Sequence, residues 1–202
     1  MTIQEIFVLN NAIDGKEICF MPELSGLNMP QPLFDTVKDL LIKQGILRNH
    51  NEFTEEGMNF AEMLLSYKEA KKFIKILSLS IGIISNEKAI IINQVGENNY
   101  YLSLIDIKEI ADQFLEVFDF LGNAKNSETL SEIKIRPRKM EKEYANNEGS
   151  FRFETKNNIM SSDDMCFLQQ KQLYIYDYKK HVLSPMSYRD AISLIRERLT
   201  IL

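Results

Sequence analysis

Two histidines, two cysteines and one adjacent aspartate pair are the groups of this 202-residue chain best suited to catalysis or metal binding. Histidine titrates near neutral pH and ligates metals, so its neighbours decide its use. A zinc site needs several Cys, His or carboxylate ligands at short, regular spacings. His50 stands in Arg48-Asn49-His50-Asn51-Glu52, and His181 follows Lys179-Lys180. Neither has a partner at metal spacing, and both read as solvated turn histidines. Cys19 and Cys166 share no short motif and read as buried packing thiols. Asp163-Asp164 follows Ser161-Ser162 and reads as a turn. The eight glycines form neither GxGxxG nor GxxxxGK[ST], and no GxSxG elbow occurs. The expectation is a protein that is not an enzyme, with no metal site and no cofactor.

Charge narrows the partners. The chain carries 24 basic and 29 acidic residues, a formal net charge of -5 and a pI of about 5.2. Phosphate backbones need a basic surface, so nucleic acid is not the expected partner. The one basic run, Lys134, Arg136, Arg138, Lys139 and Lys142, is interleaved with Glu132, Glu141 and Glu143. It has no aromatic residues between its cations for base stacking and reads as a solvated linker. The longest apolar stretch, Phe73 to Ile84, is broken by Lys75, Ser78 and Ser80. A membrane-spanning helix needs roughly 20 apolar residues, so no membrane insertion is expected. Met1 to Leu9 lacks the basic start of a signal peptide, which makes the cytoplasm the expected location.

The elements that would position any site follow from periodicity. Residues 5–9 and 16–20 flank Asp14-Gly15, a hairpin signal. Met21 to Pro32 reads as an irregular connector. Leu33, Phe34, Val37, Leu40 and Leu41 place an apolar stripe on a helix that Gly45 ends. Thr54 before Glu55-Glu56 is an N-cap for a helix burying Phe60, Ala61, Leu64 and Leu65. Gly57 weakens its first turn. From Lys71 to Ile84 a β-rich run reads as one long strand, followed by strands at 88–94 and 100–105. Asp106 caps a helix carrying Ile107, Ile110, Ala111, Phe114, Leu115, Phe118 and Leu121, stopped by Gly122. Residues 122–149 are polar, with an element of undetermined type near Leu130 to Tyr144. Beyond them come a strand at Phe151 to Glu154, a hairpin over 166–178, and a last helix capped by Ser187. That helix buries Tyr188, Ala191, Ile192, Ile195 and Leu199.

One pattern occurs twice. Residues 88–121 and 172–201 each read strand, turn, strand, helix. Ser184 lies 81 residues after Ser103, and Ser187 lies 81 after Asp106. At that offset Lys108-Glu109 matches Arg189-Asp190, and Phe114 matches Ile195. The strands before need an offset nearer 83. The reading is one α+β domain over 1–202, with a central, mostly antiparallel sheet flanked by helices. Its halves, 1–121 and 150–202, are duplicated about a pseudo-twofold relation and joined by the polar connector 122–149. In the second half Tyr174, Tyr176 and Tyr178 alternate along one strand, with Phe151 and Phe153 on a strand nearby. Together these five form the candidate partner-binding surface, since aromatic side chains are enriched at interfaces. The competing reading packs the tyrosines beneath a helix.

Gly26-Leu27-Asn28-Met29-Pro30-Gln31-Pro32-Leu33, then Gln44-Gly45-Ile46-Leu47, then Phe53-Thr54-Glu55-Glu56-Gly57, then a helix and a β-rich run, is similar to the EspG family. These are cytosolic chaperones of type VII (ESX/Ess) secretion systems, and the likeness is to the short forms of Gram-positive bacteria. It covers residues 24–121 by motif and the remainder by architecture. It implies the same pseudo-twofold sheet flanked by helices, no catalytic residues and no cofactor. The implied partner is a secreted protein, a toxin or a helical-hairpin WXG- or LXG-type substrate, kept soluble for export, with the secretion ATPase as a further contact. The brief turns at 85–88 and 94–99 imply that the long substrate-contacting loop of some relatives is absent. The second reading is a transcription regulator, because residues 33–65 resemble a winged-helix segment. Glu55, Glu56 and Glu62 on its second helix weigh against DNA contact.

Overall fold

Thr2 begins the first helix, α1 (Ile3–Ile13), through a reciprocal capping box with Glu5. The Glu5 N–H donates to Thr2 Oγ1 and the Thr2 N–H to Glu5 Oε2, at 3.3 and 2.7 Å. The expected hairpin at Asp14-Gly15 is therefore corrected. The N–H groups of Asp14 and Gly15 both return to the Asn10 carbonyl, and Gly15 takes φ +63°, so the pair ends a helix. This computed structural model describes residues 1–21, 24, 26–124, 131–157 and 160–199, with the backbone alone for Ala111 and Leu115.

α2 (Gln31–Lys43) starts with Pro32 in its first turn, where a missing N–H costs nothing. Gly45 (φ +78°) ends it. β1 (Leu47–Asn49) and β2 (Glu52–Phe53) form a small antiparallel hairpin. α3 (Glu55–Lys68) is capped by Thr54, whose Oγ1 accepts the Gly57 N–H at 3.1 Å. It buries Ala61, Leu64 and Tyr67. Leu65, expected inside, is exposed, because Tyr67 takes the inward position.

The expected long strand is two strands, β3 (Lys72–Ile76) and β4 (Leu79–Ile83). The break falls at Leu77, which adopts φ +52° without a glycine or proline to announce it. β5 (Lys88–Val95) and β6 (Asn99–Asp106) lie where expected. α4 (Ile107–Val117) is shorter than expected. Phe118 leaves helical geometry (φ -102°, ψ 56°), and Asp119–Asn123 continues as a 3-10 turn. The polar stretch contains β7 (Ile133–Lys134) and α5 (Pro137–Glu143); Leu130 lies outside the described residues. β8 (Gly149–Asn157), β9 (Ser161–Gln169), β10 (Gln172–Asp177) and β11 (Val182–Met186) follow, then α6 (Tyr188–Leu199). Ser161 to Asp164, expected as a turn, opens strand β9 and pairs with β8. Ser187 caps α6 as expected, its Oγ accepting the Asp190 N–H at 3.1 Å. Tyr188, expected inside, is exposed at the start of that helix.

The fold is α+β. Nine strands form one antiparallel sheet in the order β6-β5-β4-β3-β8-β9-β10-β11-β7, with helices flanking it. Along the chain, four successive strands precede α4, and four more precede α6.

The chain divides into two compact units, which interleave in sequence. The first comprises Met1–Ala70, Ser78–Ile84 and Lys88–Ile105. Its helical part packs Val8, Leu9, Val37, Leu41, Ile46 and Leu47 together. α3 lies close on β4: a β-carbon at Gly82 would meet the Tyr67 ring at 2.8 Å. The second unit comprises Lys71–Leu77, Ser85–Glu87 and Asp106–Leu202. It contains the candidate site.

Candidate partner-binding face

Register decides what the second unit can present. Directly paired residues share a sheet face, and neighbours along a strand alternate. Ser150 pairs with Phe167, which pairs with Tyr174; Arg152 pairs with Met165, which pairs with Tyr176. The tyrosines therefore share a face with Arg152 and Phe167. Phe151 pairs with Cys166, and Phe153 with Asp164, on the opposite face. The single aromatic surface expected from Tyr174, Tyr176, Tyr178, Phe151 and Phe153 is thus split into two layers. The alternation that put the three tyrosines together also separates them from the phenylalanines.

On the tyrosine face α5 acts as a cover. Met140, Ile135, Phe167, Leu183 and Tyr176 form its buried centre. Tyr176 is fully buried and donates its hydroxyl to the Ile135 carbonyl at 2.9 Å. The tyrosine-under-a-helix reading holds for this residue. The basic run read as a solvated linker supplies the cover: Pro137 starts α5 and turns Met140 inward. Tyr174 and Tyr178 are half-buried at the rim. Tyr174 stacks on Phe167 (5.5 Å between ring centres) and meets Tyr144 at 5.7 Å. Tyr178 carries the Arg152 guanidinium over its ring at 4.3 Å. Asp163 holds that guanidinium in a two-pronged pair at 2.7 and 2.6 Å. Rings and an arginine with open edges are the side chains that interfaces use most.

The other face is a phenylalanine core. Phe118 lies 4.4 Å from Phe151, and Phe151 is 5.9 Å from Phe153. Ile195 and Leu199 of α6 line a small gap with Phe151 and Phe153, both of which are buried. Cys166 is buried here too, and burial pushes its thiol pKa up to about 12.

Towards one end of this face the lining turns polar. Asp164, almost fully buried, is paired with Arg198 of α6 at 3.3 Å. Burial raises its pKa, against the pull of the Ser162 hydrogen bond and the Arg198 charge. Lys72 is also buried and donates Nζ to the Glu197 carbonyl at 3.1 Å. Burial, and then the Arg198 charge, lower its pKa. These groups floor an open cleft of about 600 Å³. Sequence reading missed Arg152 and this polar floor. The signals were Arg152 between two phenylalanines and Lys72 heading an apolar strand.

The remaining chemistry-bearing residues stand apart. His50 pairs with Asp39 at 2.7 Å on the exposed surface of the first unit. His181 sits in a turn at φ +56° and lends its carbonyl to the Ile135 N–H. Cys19 is half-buried, and its carbonyl accepts the Tyr67 hydroxyl. Among the described residues, three or more His, Cys, Asp or Glu side chains nowhere gather at metal-binding distance. Nor is any described helix long and apolar enough to cross a membrane.

The class these features define is an α+β protein on a nine-strand antiparallel sheet, with an aromatic layer under a short helix at one side. The family model of the domain of unknown function DUF5081 matches residues 1–201, so the chain belongs to that family. No curated protein matches the chain.

Proposed function

We propose that this protein is a non-catalytic chaperone or adaptor that binds a secreted protein of a type VII system and holds it soluble for export. The observation that carries the reading is the strand order: two successive runs of four strands, each followed by a helix, in one antiparallel sheet. That is the arrangement which the EspG resemblance implies, and two related halves with a common origin are part of the proposal. The argument is one of fold analogy, since folds host many functions. The rim of half-buried Tyr144, Tyr174 and Tyr178 with the exposed Arg152 offers a contact surface of suitable chemistry. Cytoplasmic location belongs to the same proposal.

The test is co-purification of the tagged protein from cells with and without the secretion locus. One exported protein should be recovered only when the locus is present. The double variant Tyr174→Ala/Tyr178→Ala should lose it while remaining folded by circular dichroism. Recovery of DNA, or the same proteins from both strains, would sink the reading and favour the regulator alternative or neither.

A further inference from the structure

The tyrosine face of the second unit is closed by a segment that grips it at few points. Of residues 132–144, which contain β7 and α5, only Ile135 and Met140 are buried. Lys139 and Glu143 pair along the outer surface of α5 at 3.5 Å. Beneath the segment lie Phe167, Tyr176 and Leu183, all buried, with half-buried Met165, Tyr174 and Tyr178 packed around them.

The backbone attachment is equally slight. β7 adds two residues to β11, Ile133 opposite Leu183 and Lys134 opposite Val182. The Ile135 N–H continues the ladder to the His181 carbonyl at 3.0 Å. Outward-facing positions alternate along a strand, so the next one on β11 after Leu183 is Pro185, which has no N–H to pair. Two side-chain bonds complete the grip: Tyr176 to the Ile135 carbonyl and Ser184 to Glu132, both at 2.9 Å. By contrast β9, which carries Phe167, is paired on both sides, to β8 and to β10. Segments with few buried contacts open at lower free energy than paired core strands. Opening here would bare Phe167, Tyr176 and Leu183 as one apolar patch, the kind of surface that marks an interaction site.

The cover also shows what this face accepts. It is an extended stretch laid on the β11 edge, followed by a helical turn that lowers one long apolar side chain, Met140, into the cluster. The extended part gives an N–H to His181 and a carbonyl to the Tyr176 hydroxyl. Strand addition and a helix in a groove are both ordinary modes of peptide recognition.

We infer that β7 and α5 are a displaceable strap, and that a partner segment of the same strand-then-helix form docks by taking its place. That the partner is an exported client rests on the function proposed above; the exchange of strap for segment goes beyond it.

A fluorescein-labelled synthetic peptide of residues 131–146, followed by fluorescence anisotropy, is the probe. In the native chain the peptide reaches only the open fraction, which lowers its apparent affinity by that fraction. Met140→Glu removes the chain's own anchor, and this variant should bind the peptide about tenfold or more tightly than the native chain does. A peptide carrying Met140→Glu should bind neither. Equal binding to both chains, or no binding to a variant whose circular dichroism matches the native protein, overturns the inference. Native-state hydrogen exchange on the unaltered chain decides the matter if the variant misfolds. The amides of Ile135, Met140 and Tyr144, all hydrogen-bonded, should be protected about tenfold less than those of Phe167 and Tyr176. Equal protection overturns it. Neither measurement uses a client: peptide exchange without any co-purified protein sinks only the functional reading, and a recovered client without peptide exchange sinks only the strap.

Discussion

Gly57 faces the backbone of Ile46 so closely that a β-carbon at residue 57 would lie 1.9 Å from the Ile46 carbonyl oxygen. That oxygen also accepts the Thr54 N–H at 3.1 Å. The helix start and the backbone just before β1 are thus pressed together at the one residue without a side chain. Read from sequence, Gly57 only weakens α3. In the structure it is what lets α3 begin there. Gly57→Ala raises intrinsic helix propensity yet should destabilise the chain by about 2–3 kcal/mol, because the obstacle is backbone. Urea unfolding decides it, and a stabilised variant would refute the close approach.

Tyr176 and its two neighbours should behave differently. Tyr176→Phe leaves the buried Ile135 carbonyl without its hydroxyl donor, at a cost of about 1–2 kcal/mol. Tyr176→Ala also opens a cavity and should cost about 3–5 kcal/mol. Tyr174→Ala and Tyr178→Ala, at the half-buried rim, should cost about 1 kcal/mol each. Denaturant midpoints of the four variants would show the order, and equal values would contradict the layer described.

The two thiols should separate in reactivity. Cys166 is buried and its thiol is held protonated well above neutral pH, whereas Cys19 is half-buried. The thiolate is the reactive form. A native-state thiol titration at pH 8 should modify Cys19 first and Cys166 only on unfolding. Rapid labelling of Cys166 in the folded protein would be the contrary result.

Lys72 gives a pH dependence of defined sign. Its folded pKa lies below the ordinary 10.5, chiefly through burial. Between the folded and unfolded values the unfolded chain holds the extra proton, so this group adds stability as pH rises through that window. Lys72→Gln should flatten the native rise in stability up to about pH 10. Thermal melts of both forms across that range provide the comparison, and parallel curves would count against it.

How legible the structure was in the sequence depended on whether local signals agreed with long-range ones. β5, β6, α2 and α3 were legible because periodicity and caps point the same way. α1 was misread: Asp-Gly serves a helix end as readily as a hairpin, and the Thr2–Glu5 capping box was the overlooked signal. The β3–β4 break at Leu77-Ser78 carries no glycine or proline to announce it. The tyrosine layer was legible in part. Alternation fixed which tyrosines share a face, but the face of Phe151 depends on β8–β9 register, which no single strand encodes. The cleft was illegible because its cations come from positions as distant as Lys71 and Arg198.

The pairing of β3 with β8 has a consequence for how the chain finds its fold. Ile76 lies against Phe153, and Lys72 against Asn157, across a span of nearly eighty residues or more. The β8–β9, β9–β10, β10–β11 and β4–β5 pairs all join strands consecutive in the chain. Neighbouring hairpins close within microseconds, but distant strands must first lose the entropy of a large loop. The β3–β8 seam should therefore form late and set the folding rate. Substitutions at Ile74 or Ile76 should then slow refolding more than they speed unfolding.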